Sequence, residues 1–68
     1  MGRDFGPVGA RVKALRKRRG LSQDALATKA GLHRVTLANV ERGATVPTLD
    51  TLARLATALR VSVARLLA

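Results

Sequence analysis

The sequence predicts an all-α fold built from five short helices. Apolar residues recur at spacings of three and four, and no stretch alternates in the manner of a strand. Gly20, Gly31 and Gly43 fall where such periodic segments stop, and Ser22, Thr48 and Ser62 stand just before new ones begin.

Residues 1–6, "MGRDFG", have no period and read as a mobile arm, which leaves residues 7–68 as a single domain. Pro7 suits the first turn of a helix, because its φ is already fixed there and its missing N–H is not needed. Val8, Val12 and Leu15 continue that helix to Gly20. Ser22 caps a second helix over about Gln23 to Ala30, with Asp24 complementing the positive end of its dipole and Leu26, Ala27 and Ala30 inward. Gly31 ends it. A third helix begins near His33 and turns Leu37, Val40 and Thr36 inward, leaving Arg34, Val35, Ala38 and Asn39 on the other side. Thr48 caps a fourth, whose stripe of Leu49, Leu52, Leu55, Ala56 and Leu59 is the strongest periodic signal in the chain. Ser62 caps a last short helix carrying Val63, Leu66 and Leu67.

The chain has 68 residues, and a domain of this size buries only about 60% of the surface its unfolded form exposes. Modest stability follows. Thirteen Lys and Arg oppose four acids, for a formal net charge of +9, and seven of the thirteen precede Leu21. That imbalance points to a polyanionic partner. There is no cysteine for a disulfide, no apolar run long enough for a membrane span and no signal-peptide layout, so a cytoplasmic location is expected.

Two short helices that cross steeply need a small side chain at the crossing and a corner residue that tolerates positive φ. Ala27 and Gly31 supply these. With "LSQ" at 21–23, apolar Leu37 and Val40, "ERG" at 41–43 and Pro47 before a leucine-rich helix, the stretch from Leu21 to Leu59 resembles the helix-turn-helix domain of the phage repressor and Cro (XRE) family. The resemblance covers nearly all of the chain after the arm. It implies a compact five-helix lambda-repressor-like bundle, with the helix-turn-helix at helices 2 and 3 and double-stranded DNA as the partner.

In that family the second helix of the motif lies in the major groove. The resemblance therefore assigns base contacts to Arg34, Val35 and Asn39, flanked by Thr36 and Ala38. Arginine can donate two parallel bonds to guanine, asparagine can pair with adenine, and valine can pack on a thymine methyl. Gln23 resembles the family's phosphate-gripping glutamine at a helix N-terminus, with Ser22 beside it. His33, Arg42, Thr45, Arg18 and Arg19 are further candidates for phosphate contact. Glu41 looks like the family's buried glutamate, paired with Arg16; the alternative is a solvent-facing charge beside Arg42.

A domain that reads a few base pairs is expected to bind as a homodimer on a pseudo-palindromic site. Val61, Val63, Leu66 and Leu67 are either its interface or a part of the subunit core. Repression is the expected action. An antitoxin-like module that neutralises a partner protein and autoregulates its promoter is the alternative. Four dispersed acids, one histidine and no glycine-rich phosphate loop make an enzyme improbable, and neither a metal nor a cofactor is expected. The apolar side of helix 1 is too thin for membrane insertion. Phe5 is the sole aromatic, which disfavours RNA.

Overall fold

The computed structural model describes residues 6–67. Five helices follow one another: α1 (Gly6–Arg18), α2 (Gln23–Ala30), α3 (Arg34–Glu41), α4 (Leu49–Leu59) and α5 (Val63–Leu67). Among the described residues there is no strand. The arm expected over residues 1–6 lies outside the described residues, apart from Gly6, which opens α1 one position before Pro7.

Local chemistry fixes the helix ends. The hydroxyl oxygens of Ser22, Thr48 and Ser62 accept from the backbone N–H groups of Ala25, Thr51 and Arg65, at 3.0, 3.1 and 3.2 Å. Each satisfies a donor that the helix itself cannot. Gly31 closes α2 at φ 70°, and this brings the Leu32 N–H to 2.8 Å from the Ala27 carbonyl. Gly31, Leu32 and His33 are then the whole turn into α3. Helix α4 also ends in the left-handed region, but on Arg60 at φ 62°.

The helices close around one core. Helix α1 packs on α3, α2 on α3 and α4, and α5 on α1 and α4. Val12 and Leu15 meet Leu26, Ala27 and Ala30 of α2, Leu37 and Val40 of α3, the α4 stripe from Leu52 to Leu59, and Leu66. Burying each such leucine contributes about 1.5–3 kcal/mol.

Three apolar expectations need correction. Leu49 is 73% exposed, because it stands one turn before Leu52, the first α4 residue to reach the core. Thr36 is exposed, since Leu37 and Val40 already fill the inward arc of α3. Leu66 is fully buried within the subunit, so it is a core residue and not part of a dimer interface. Leu67 remains exposed, while Val61 and Val63 are half-buried against the core.

Two contacts set α1 against α3. At Gly9 a Cβ atom would lie 2.1 Å from the Val40 carbonyl oxygen and 2.7 Å from that of Glu41. Only glycine permits this approach. Two turns later, Arg16 donates through Nε to Glu41 Oε2 at 2.7 Å and through Nη2 to Oε1 at 3.0 Å. Its third donor, Nη1, reaches the Leu21 carbonyl at 2.9 Å, and Gln23 Nε2 donates to Glu41 Oε1 at 3.1 Å. The pair is buried, so the solvent-facing alternative for Glu41 falls. Donation to Glu41 raises the Arg16 guanidinium above its ordinary pKa, outweighing the downward pull of burial.

Gly9→Ala should force α1 away from α3 and cost about 1–3 kcal/mol or more, measurable by urea denaturation. Glu41→Ala should cost about 3–5 kcal/mol by stranding the Arg16 charge, whereas Arg16→Met combined with Glu41→Leu should recover most of that stability. Arg60→Gly should raise the melting temperature, because it relieves a left-handed residue that costs roughly 1–2 kcal/mol with a side chain present.

Candidate nucleic-acid interface

The start of α2 and the outer face of α3 form one surface across the turn at Gly31. At the α2 start, Ser22 is exposed and Gln23 half-buried, and the first backbone N–H groups of the helix have no carbonyl one turn earlier to receive them. An anion is favoured there by both the free donors and the helix dipole. Gln23 also donates to Glu41, so the buried pair and the helix start are mechanically joined.

On α3, Leu37, Val40 and Glu41 face inward, and this turns Arg34, Val35 and Thr36 fully outward with Ala38 and Asn39 half-exposed beside them. Val35 is 63% exposed, so both of its methyl groups are available to a partner at this face. His33 occupies the N-cap position of α3 but makes no side-chain cap bond, which leaves its ring at the rim of this surface. Arg42 and Thr45 continue the rim beyond the C-terminal end of α3, and both are exposed.

Neighbours hold the two candidate readers. Arg34 Nε lies 3.2 Å from Asp24 Oδ1 in the first turn of α2. Arg42 donates through Nη2 to Asn39 Oδ1 at 2.8 Å. An asparagine that pairs with adenine must accept through Oδ1 and donate through Nδ2, so Oδ1 has to share its second lone pair or release Arg42. From the sequence Asp24 is only a complement to the helix dipole. Its distance from Arg34 depends on the crossing angle of α2 and α3, which periodicity does not encode.

Two further candidates for phosphate contact stand elsewhere on the domain. Arg19 Nε donates to the Leu59 carbonyl at 2.8 Å and so ties the end of α1 to the end of α4. Arg18 lies nine residues after Gly9, about two and a half turns, and therefore on the side of α1 opposite α3. There it lines a groove with Arg11, Ala14, Leu15 and Arg65. Adjacent arginines on one helix diverge by about 100°, and the sequence run "RKRR" conceals that divergence. Gly9 carries no periodic or motif signal, although a glycine inside a helical pattern often has a packing reason.

Among the described residues no three side chains of metal-binding type stand together, and no helix is long and apolar enough to cross a membrane. The surface therefore offers hydrogen-bond donors, a methyl-bearing side chain and positive charge.

Known proteins share the fold. Residues 12–66 match the HTH_3 helix-turn-helix family. The chain is 50% identical over 56 residues to the immunity repressor protein of Bacillus phage phi105, covering 82% of this chain and 39% of that protein. It thus spans well under half the length of that relative. Among solved structures, the restriction-modification controller protein C.AhdI of Aeromonas hydrophila superposes with a TM-score of 0.90 at 40% identity, over 93% of this chain and 96% of that one. SinR, the master regulator for biofilm formation, in its complex with DNA, gives a TM-score of 0.86 at 39% identity, over 90% of this chain and 98% of that one. With the family match spanning all but the ends of the sequence, the chain belongs to the HTH_3 helix-turn-helix family, the phage repressor and Cro-like (XRE) group that its motifs resemble.

Proposed function

We propose that this chain is the DNA-reading unit of a sequence-specific transcription regulator, acting as a repressor on a pseudo-palindromic operator. One observation carries the reading: α3 is locked on its inner face by the core and by the Arg16–Glu41 pair, while Arg34 and Val35 stand exposed on its outer face with half-exposed Asn39 beside them. A rigid helix with exposed donors and a methyl-bearing side chain is suited to the major groove. In this reading Arg34 pairs with guanine, Asn39 with adenine and Val35 packs on a thymine methyl, with Thr36 and Ala38 beside them. Ser22, Gln23, His33, Arg42 and Thr45 grip phosphates on either side. They position the helix and carry no sequence information themselves.

Net charge of +9 supports a duplex partner and predicts salt-sensitive binding. Immunity repressor, controller protein and biofilm regulator are the named relatives, which favours repression of transcription over the antitoxin-like alternative. Two copies on the operator are proposed to meet through exposed Leu67 and the outer surfaces of Val61 and Val63. Occlusion of a promoter would then suffice for repression.

Selection from a random duplex pool at low and near-physiological salt should enrich a pseudo-palindrome with half-sites about one helical turn apart. Binding without enrichment, lost as salt rises, would overturn the regulator reading in favour of charge attraction alone. On the selected operator, Arg34→Ala should lower discrimination at one base pair by about 1–3 kcal/mol, while Gln23→Ala should weaken binding to all sequences alike. Gel-shift titrations against single-base operator variants separate the two effects.

A further inference from the structure

Three acids fall within the described residues, and each sits beside an arginine: Glu41 with Arg16, Asp50 with Arg54, and Asp24 with Arg34. The first pair is buried structure, and the second is a within-helix pair on α4. Asp24 differs because it stands on the surface assigned to DNA, between Ser22 and the α3 reading face. A carboxylate there repels phosphate and lowers affinity for every sequence. Besides complementing the α2 dipole, it reaches the outer face of α3.

The geometry points to a further role: we propose that Asp24 is a specificity-positioning residue, holding Arg34 so that its end-on donor pair faces a guanine. This inference rests on the proposed role of α3 as the reading helix. Asp24 Oδ1 forms an ion pair with Arg34 through Nε at 3.2 Å, and a contact at Nε does not occupy the terminal nitrogens Nη1 and Nη2. Those two nitrogens match guanine O6 and N7 in parallel. An arginine tethered at Nε loses rotamer freedom before it meets DNA and has less to lose on binding. With side chains 56% and 79% exposed, the pair contributes little to folding, so its removal leaves the domain intact.

A reader held by a carboxylate on the preceding helix is a form of preorganisation, and it predicts a signature that a merely structural acid would not give. Asp24→Asn removes the charge and keeps the shape. Binding to non-specific duplex should strengthen, because one repulsive charge is gone, while preference for guanine at the Arg34 base pair should fall by about five- to tenfold. Asp24→Glu should restore a part of that preference. In an Arg34→Ala background, Asp24→Asn should change preference at that position no further.

Random-pool selection with the wild type, Asp24→Asn, Asp24→Glu, Arg34→Ala and the double variant tests this, with thermal melts of each protein alongside. The expected result is that Asp24→Asn and Arg34→Ala flatten the same base pair, without a large change in melting temperature. If the wild type and Asp24→Asn select the same operator with equal preference at that position, Asp24 only complements the α2 dipole and the proposal is overturned. If Asp24→Asn weakens every sequence equally and lowers the melting temperature, it is also overturned. If the wild type selects no operator at all, the failure belongs to the reading of α3, and the proposal falls with it.

Discussion

The guanidinium of Arg16 is shared among three segments of the chain, and its neighbours derive their positions from it. Two of its donors meet the Glu41 carboxylate at the end of α3, and a third meets the Leu21 carbonyl just before α2. Gln23, in the first turn of α2, closes the circuit through Glu41. A buried charge without this many partners would be strongly unfavourable, so these segments have few other ways to pack. The bond set fixes the start of α2 relative to the end of α3 from the side away from solvent. Geometry on the exposed side is a consequence.

Gly9 adds a steric counterpart to this electrostatic clamp. By lacking a side chain it admits the terminal carbonyls of α3 to the surface of α1. Hydrophobic burial alone is non-directional, and a core of leucine, valine and alanine could accept several rotations of a helix as short as α3. The directional contacts at Gly9 and Arg16 select one. In the proposed function, where this helix presents side chains to base edges, that selection matters more than the stability it adds.

Charge is divided by face. Arg19 and Arg18 follow one another in sequence, yet one binds the end of α4 and the other lines the groove beside α5. The surface formed by the start of α2 and the outer face of α3 is less densely basic than the composition suggests, with Arg34 and Arg42 each engaged by a neighbour. In the proposed function, long-range attraction to a polyanion comes from the whole chain, while discrimination is concentrated in a few positioned groups.

Much of this was legible in the residues alone. Caps at Ser22, Thr48 and Ser62 and the turn at Gly31 are local chemistry, decided within four residues of chain, and the periodicity of Leu52, Leu55, Ala56 and Leu59 depends only on helix geometry. The family motifs likewise named Arg16 and Glu41 as partners. Tertiary structure decided the rest. Leu49 and Leu66 obey the same periodicity, but one overhangs the core and the other is sealed in it, because burial depends on where neighbouring helices end. The approach at Gly9 and the meeting of Asp24 with Arg34 require elements to be set at particular distances and angles. Sequence specifies what each segment is and which way its own apolar face turns; only packing of the segments determines which polar groups from different helices come within bonding distance.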